Sequence, residues 1–204
     1  MMRSEEEPLQ CGRERRDLLR WAGLTCLLVA VDQVSKLVVR STLSPGDSLP
    51  ILGGVLRVTF VPNYSGFSWF VPVLPEWVKP PFLLLRLAIL VMAFPVYEFY
   101  RRSGQGSRWA SVALVGISAG TLGNVLDDLF VPYTTDFVQV FQSPSANFAD
   151  LLSFVGVGAL LVEVALRSRR KRLHWRGFRY HWTEATQLRR EFFGFLLHYF
   201  SRTG

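Results

Sequence analysis

Five of the aspartates in this chain have positions suited to acid–base chemistry. They are Asp32, Asp127, Asp128, Asp136 and Asp150. Two carboxylates held close together cannot both ionise easily, so they share one proton over a wide pH range. One carboxylate then acts as a general base towards water, while the other donates a proton to a carbonyl group or a leaving amine. This is the chemistry of aspartic proteolysis, and the residues alone leave open which two acids form the pair.

Other catalytic and binding signatures are missing from the sequence. There is no G-x-S-x-G, no H-E-x-x-H and no Cys/His zinc spacing, so we expect no metal ion and no cofactor. The net charge of +7 is compatible with nucleic-acid binding. However, the basic residues cluster beside apolar stretches, and no recognition motif or stacking platform accompanies them. We therefore attribute the charge to membrane topology and expect no nucleic-acid partner.

Four long apolar segments must position the acids. Hydrophobic residues make up 50% of the chain, and they form long stretches separated by polar loops. The stretches run from about Leu18 to Val39, Pro81 to Tyr100, Trp109 to Leu129, and Asn147 to Leu166. Each is near the ~20 residues that a helix needs to cross a bilayer. The predicted fold class is therefore an all-α membrane protein with four transmembrane helices.

The distribution of basic residues predicts the orientation of these helices. The connection from Asp128 to Ala146 has no Lys or Arg, whereas arginines precede the first helix, fill the second connection and follow the fourth helix. Those arginines lie within residues 13–20, 101–108 and 167–172. Basic loops tend to stay in the cytoplasm. We therefore expect both termini to be cytoplasmic and the connections after the first and third helices to face outside.

On this topology the polar residues near the membrane lie at one level, close to the outer face. They are Asp32, Lys36, Asn63, Asn124, Asp127, Asp128, Asp136, Asn147 and Asp150. Singly, they have structural explanations, since Asp32 and Lys36 are spaced for an ion pair and Asn147 fits a helix N-cap. Asp136 is expected in the outer loop. A convergent set of ionisable groups in a membrane is nevertheless a candidate functional site.

Segments outside the site residues carry further expectations. Gly53–Phe60 is rich in β-branched residues and predicts a short strand or hairpin. Thr183–Phe200 predicts an amphipathic helix on the cytoplasmic leaflet, with a partly ordered basic tail as the alternative. We predict an N-terminal tail over residues 1–17, a membrane core over 18–172 and a basic aromatic extension over 173–204. The remaining charges within the helices are expected to snorkel or to pack structurally, and they are Arg86, Glu98 and Glu163.

Five short motifs occur in order along the chain. They are Asp32-Gln33-Val34-Ser35-Lys36, Asn63 in N-Y-S-G-F-S, Gly123-Asn124-Val125-Leu126-Asp127, Thr135-Asp136-Phe137, and Asn147-Phe148-Ala149-Asp150. They resemble D-Q-x-x-K, N-x-G-x-A-F, G-N-x-x-D, V-D-F and N-x-A-D, the motifs of the lipoprotein signal peptidase (signal peptidase II) family. The resemblance covers about Leu18 to Leu166. Each motif alone is weak, but five in order on four spans are specific.

The resemblance implies an aspartic endopeptidase of the bacterial cytoplasmic membrane, which cleaves prolipoproteins just before a diacylglyceryl-modified cysteine. It implies that Asp136 and Asp150 are the catalytic dyad. The residues implied to support the dyad and its surroundings are Asn124, Asp127, Asn147, Asp32, Lys36 and Asn63. The first outer connection would form a small β-sheet cradle on the membrane. The expected partners are prolipoproteins and membrane lipids, and we expect a monomer.

The sequence departs from the resembled motifs at Asp128. The family usually has Arg directly after the acid of G-N-x-x-D, so the local charge changes by about two units, which can raise the pKa values of the dyad. Lys36 is a candidate for compensating this charge. Two other interpretations stay open. The membrane acids are also compatible with a small transporter or proton-conducting protein, and Asp128 favours a non-catalytic membrane protein that binds lipoproteins.

Overall fold

The computed structural model describes residues 6–64, 79–105, 107–172 and 178–203. These parts of the chain contain five α-helices, a 3-10 turn at Leu52–Gly54, a π-helical turn at Arg101–Gln105 and one sheet of three strands. The helices are α1 (Glu6–Thr42), α2 (Lys79–Tyr100), α3 (Arg108–Phe130), α4 (Phe148–Arg172) and α5 (Phe178–Thr203). The strands are β1 (Ser48–Ile51), β2 (Leu56–Asn63) and β3 (Thr134–Val140). The expected helical membrane architecture with a small sheet is confirmed.

Four helices of the described chain are long and apolar enough to cross a membrane. The candidate spans are Asp17–Thr42, Pro81–Ser103, Arg108–Phe130 and Phe148–Arg167. All four predicted segments fall inside them, except that Asn147 lies one residue before α4. Buried residues make up 61% of the apolar window in α3 but only 11% to 22% in the others. Helix α3 is therefore the central helix, and the other three surround it with their apolar side chains outward.

Glycines allow α3 and α4 to approach each other closely. A Cβ atom on Gly116 would lie 2.8 Å from the Cα atom of Gly156, and one on Gly120 would overlap the carbonyl oxygen of Ala149. Small residues at such helix crossings in membranes let the backbones pack directly. This contact fixes the start of α4 against the second half of α3. It therefore fixes the relative positions of polar residues that the two helices carry.

The sheet is antiparallel in the order β1-β2-β3. Between β2 and β3 the register shifts after Val58, so that Val61 pairs with Asp136 and Asn63 pairs with Thr134. Such a bulge inserts one extra residue and re-aims the side chains that follow it. Because residues two apart share one face of a strand, Asn63 and Asp136 face the same side of the sheet.

The expected strand or hairpin at Gly53–Phe60 is confirmed with wider bounds, whereas the expected place of Asp136 needs correction. Gly53 and Gly54 form the turn between β1 and β2, with φ of 67° and 88°, so the hairpin extends on both sides of the predicted segment. Asp136 lies in β3 and not in a loop. The sequence signal for β3 was hidden because its first three residues, Thr134, Thr135 and Asp136, are all polar and all buried. Alternation was therefore not visible as apolar against polar.

The charges at the other end of the bundle are paired, as expected for structural groups. Glu98 is buried and accepts hydrogen bonds from Arg101 and Arg102. Glu163 is buried and accepts hydrogen bonds from Tyr100, Ser107 and Arg167. We refer to this end as the arginine end and to the opposite one as the sheet end. The arginine end lies on the side of the bundle where the sequence placed the cytoplasm.

Substitution of Gly120 tests the close contact of α3 with α4. Gly120→Ala should destabilise the protein by about 1–3 kcal/mol, because the added methyl group forces two backbones apart. Gly158→Ala is the matched control, since its Cβ would meet nothing within 4 Å. Unfolding in mixed detergent micelles measures both variants. Equal stability of the two would contradict the close contact.

Candidate functional site

The eight predicted site residues form one continuous network of polar contacts at the sheet end. The network runs through Asp32, Asp127, Lys36, Asn124, Asp150, Asn147, Asp136 and Asn63. Three helices and two strands contribute to it. The structure therefore brings together these eight residues, whereas Asp128, the ninth polar residue of the expected set, pairs with Arg86 instead.

Lys36 is the centre of the network. Its side chain is fully buried, and its ammonium group lies 2.9 Å from Asp32 Oδ2 and 3.0 Å from Asp127 Oδ2. It also donates to Asn124 Oδ1 at 3.0 Å. A buried charge is tolerated only when opposite charge and hydrogen bonds replace its water. The predicted pairing of Asp32 with Lys36 is confirmed, and Asp127 is a second partner on another helix.

Asp32 and Asp127 each connect α1 or α3 to a further element. Asp32 Oδ1 accepts from the backbone N–H of Ala149 at 2.8 Å, so it binds the positive end of the α4 helix dipole. Asp127 Oδ2 accepts from the backbone N–H of Thr135 at 3.0 Å and thereby holds the start of β3. Gly123 leaves room for this arrangement, because a Cβ there would lie 2.6 Å from Asp32 Oδ2.

Asn147 and Asp150 form a capping box at the start of α4. The backbone N–H of Asp150 donates to Asn147 Oδ1 at 2.9 Å, and that of Asn147 donates to Asp150 Oδ2 at 3.2 Å. The geometry confirms the expected N-cap. The other oxygen of Asp150 accepts from Asn124 Nδ2 at 2.8 Å. Asp150 is thus oriented from both sides while remaining only partly buried.

Asp136 is almost fully buried and is held by two amide groups. Its Oδ2 accepts from Asn63 Nδ2 at 2.9 Å, and its Oδ1 accepts from Asn147 Nδ2 at 2.8 Å. Burial, together with the charge of Asp150, raises the pKa of Asp136 to about 7. The two asparagine hydrogen bonds and the charge of Lys36 oppose this rise. Asp136 therefore retains its proton in much of the range where an ordinary aspartate has lost it.

Asn147 connects the two carboxylates. Its side-chain nitrogen donates to Asp136, while its side-chain oxygen and its backbone N–H both engage Asp150. The two acids therefore lie on opposite sides of one asparagine. Such a pair can hold a single proton and supply both an acid and a base.

Asp128 is paired with a cation that the sequence analysis had assigned to a structural role. Arg86, near the start of α2, forms a hydrogen-bonded ion pair with Asp128. Lys36 was the expected candidate for compensating Asp128, but its contacts are to Asp32, Asp127 and Asn124. The charge of Lys36 does lower the pKa of Asp136, as expected of a compensating cation. The direct partner of Asp128 is Arg86, which the sequence did not single out because it lies 42 positions away on a different helix.

Several contributors to the site were not singled out from the sequence. Gln33 donates to Gly123 O at 2.9 Å, and Arg40 donates to Thr135 Oγ1 at 3.0 Å. Both follow Asp32 along the exit of α1, so the D-Q-x-x-K motif was the available signal for Gln33. Arg40 gave no such signal. Its role depends on where the chain returns as β3.

An apolar groove of about 460 Å³ lies beside Asn147, the residue that contacts both acids. Asn147 is among its lining residues, and Ser35 of α1 lies on its wall. The remaining walls are mainly aromatic and aliphatic and include Phe137, Phe141, Phe148, Leu151 and Phe154. The arrangement can therefore accept an apolar molecule beside a carboxylate pair. Within the described residues, no group of three or more His, Cys, Asp or Glu side chains has the arrangement of a metal site.

Comparison with known proteins gives concordant similarities. A family model described as signal peptidase (SPase) II matches residues 24–166. A lipoprotein signal peptidase of Cupriavidus necator is 32% identical over 156 residues, which cover 74% of this chain and 86% of the relative. One of Fusobacterium nucleatum is 29% identical over 160 residues, which cover 77% and 93%. A solved bacterial membrane enzyme shares the fold, with a TM-score of 0.62, 22% identity and coverage of 74% of this chain and 91% of that chain.

Removal of the Lys36 charge tests whether this residue holds the network together. Lys36→Met should destabilise the protein by about 3–5 kcal/mol, because it leaves Asp32 buried without a cation and leaves Asp127 with only the more distant Arg40, at 3.7 Å. Adding Asp127→Asn should recover part of that loss. Unfolding in mixed micelles provides the measurement, and Arg20→Met serves as the control because the Arg20–Asp17 pair is exposed. A stability of Lys36→Met equal to that of the control would rule out the central role of Lys36.

Proposed function

Since this chain belongs to the signal peptidase II family and removes signal peptides from prolipoproteins, we propose that it does so as an aspartic endopeptidase with Asp136 and Asp150 as the catalytic pair. The observation that supports this assignment is the connection of the two carboxylates through Asn147. The other aspartates singled out from the sequence are engaged with cations. Asp32 and Asp127 pair with Lys36, and Asp128, outside the network, pairs with Arg86.

The two acids have different roles in the proposed reaction. Asp136, whose pKa is raised to about 7, carries the shared proton near neutral pH. Asp150 supplies the carboxylate, and its place in the first turn of α4 favours negative charge. The Asp150 carboxylate removes a proton from water as the water oxygen adds to the scissile carbonyl carbon. Asp136 donates its proton to the carbonyl oxygen.

Collapse of the resulting tetrahedral intermediate completes the reaction. The C–N bond breaks and the proton held by Asp150 passes to the leaving amine. Asp136 recovers its proton from the hydroxyl group of the intermediate, so the pair returns to its starting state. Three asparagines keep the carboxylates in place through the cycle, and they are Asn63, Asn124 and Asn147. Lys36 positions Asn124, Asp32 holds the start of α4, and Asp127 holds the strand that carries Asp136.

The proposed substrate is a prolipoprotein cut just before its diacylglyceryl-modified cysteine. The apolar groove beside Asn147 supports binding of an apolar part of such a substrate next to the acids. The site lies at the end of the spans and not at their middle. At that level a lipid-attached cysteine remains close to the headgroups. Membrane lipids are thus the proposed surroundings of both enzyme and substrate.

The proposed location follows from charge. Arg101, Arg102 and Arg108 lie at the arginine end, so that end and both termini are cytoplasmic by the positive-inside tendency. The sheet, Asp136 and Asp150 then face the outer side of the bacterial cytoplasmic membrane. We also propose that residues 18–172 are the catalytic core, in agreement with the matched residues 24–166, and that one chain suffices, because one chain supplies the whole network.

Conservative removal of either acid tests the catalytic pair. Asp136→Asn and Asp150→Asn should each lower cleavage of a diacylglyceryl-modified prolipoprotein to background, because neither variant holds both an acid and a base. Electrophoresis of substrate and product in proteoliposomes measures cleavage. Asp47→Asn is the matched control, since Asp47 is an exposed acid at the same end and an asparagine can still accept from the Ser44 N–H.

The outcomes of this assay separate the candidate functions. Full cleavage by either dyad variant would overturn the assignment of that residue. Wild-type protein that retains the substrate without releasing product would favour the non-catalytic lipoprotein-binding protein. Ion flux across the proteoliposomes that depends on Asp32 or Asp127, without cleavage, would favour the transporter.

The raised pKa of Asp136 predicts the alkaline side of the pH profile. Cleavage should decline as the pH rises through about 7, because Asp136 then loses the proton that it donates. The hydrogen bond from Asn63 lowers the pKa of Asp136, so Asn63→Ala should move this decline to higher pH. The measurement is kcat/KM against pH for both proteins. A decline at the same pH in both, or at lower pH in Asn63→Ala, would contradict the proposed role of Asp136.

A further inference from the structure

Helix α5 lies beyond the residues that match the family model and is not one of the four candidate spans. It nevertheless packs against one of them. Phe192 and Phe195 contact Phe99 of α2, with ring centroids 5.1 Å and 5.6 Å apart. Tyr199 contacts Phe94 at 6.2 Å, and Arg102 lies 5.6 Å over the ring of Phe195. An aromatic stack and a cation–π contact thus join α5 to the arginine end of α2.

These contacts define the direction of α5 relative to the membrane. Phe94 lies further inside the Pro81–Ser103 span than Phe99 does. Phe192 contacts Phe99, the residue nearer the arginine end, and Tyr199 contacts Phe94, the deeper residue. The C-terminal half of α5 therefore lies against the last two turns of α2, with Tyr199 deeper than Phe192.

Besides the face that contacts α2, which is its first, helix α5 has an apolar face and a polar face. At helical spacing, Phe193, Leu197 and Phe200 form an apolar stripe next to the α2 contact, with exposed fractions of 58%, 76% and 44%. Arg189 and Arg190 are exposed near the shallow end of this stripe. The third face is polar and comprises Gln187, Glu191, His198 and Ser201, with a hydrogen bond of 3.0 Å between Gln187 and Glu191.

We infer that α5 is embedded in the anionic leaflet at the arginine end, with the Phe193–Leu197 stripe against acyl chains and Arg189 and Arg190 at the headgroups. The apolar stripe lies at the depth of the hydrocarbon, and basic residues occupy the level of the phosphates, which is the charge order that a leaflet requires. The polar face points to water. This surface is independent of the peptidase site, so it binds lipid whether or not the catalytic assignment holds.

Site-directed spin labelling of the full chain tests the placement. In a Cys11→Ser and Cys26→Ala background, Leu197→Cys places a label on the apolar stripe and His198→Cys places one on the polar face. The protein is reconstituted in nanodiscs of phosphatidylcholine with phosphatidylglycerol. The label at position 197 should be accessible to oxygen and protected from a water-soluble nickel chelate, and the label at 198 should show the reverse.

Two results would overturn the inference. One is equal accessibility of both labels to the chelate, which would place the stripe in water. The other is strong spin–spin broadening at position 197 that disappears on dilution with unlabelled protein, because the stripe would then bind a second copy of the chain. Cleavage activity does not enter this readout, so a failed catalytic assignment cannot produce either result.

The headgroup contact is tested by a second comparison. Arg189→Gln combined with Arg190→Gln should increase access of the chelate to the label at 197, as should nanodiscs of phosphatidylcholine alone. Arg20→Gln is the control, because Arg20 is an exposed arginine of α1, in a segment placed at the same end of the bundle. Unchanged protection in the double variant would contradict recognition of anionic headgroups.

Discussion

The buried ammonium group of Lys36 is bound by Asp32 and Asp127, and the arrangement of the sheet end depends on this contact. Each carboxylate also accepts a hydrogen bond from a backbone N–H group. Asp32 accepts from the start of α4, and Asp127 accepts from the start of β3. Lys36 therefore fixes, through two acids, the elements that carry Asp150 and Asp136. One ammonium group cannot supply all the hydrogen bonds that two buried carboxylates need. The amide of Gln33 therefore donates to Asp32, and the amide oxygen of Asn124 accepts from Lys36.

The asparagines are suited to their positions because an amide group donates and accepts at once. Asn124 accepts from Lys36 and donates to Asp150, and Asn147 accepts from the Asp150 backbone and donates to Asp136. An aspartate at either position would add charge and lose the donor. Neutral amide groups thus separate the proposed catalytic pair, Asp136 and Asp150, from the acids that bind Lys36, although all lie within one network. Burial and the charge of Asp150 keep the pKa of Asp136 raised, although the charge of Lys36 lowers it.

Much of this arrangement follows from the sequence, since four apolar stretches, an i,i+4 pair and a capping box are all local patterns. Topology then placed the acids at one end. What the sequence did not predict depends on contacts between distant segments. The first residues of strand β3 are polar but buried, so the sequence shows no alternation of apolar and polar residues there. For that reason Asp136 was expected in a loop. Arg86 was predicted to snorkel or to pack structurally, because its ion pair with Asp128 depends on the packing of α2 against α3. The second acid on Lys36 depends on the close packing of helices, which single-helix spacing does not specify.

The central claim is that one proton is shared by Asp136 and Asp150 and resides on Asp136 near neutral pH. Infrared difference spectroscopy of the reconstituted protein measures this directly, because a protonated carboxyl group has a C=O stretch that a carboxylate lacks. Our account predicts a protonated-carboxyl band that titrates away with a midpoint at about pH 7 and is absent in Asp136→Asn. The absence of such a band below pH 7, or its persistence in Asp136→Asn, would contradict the account.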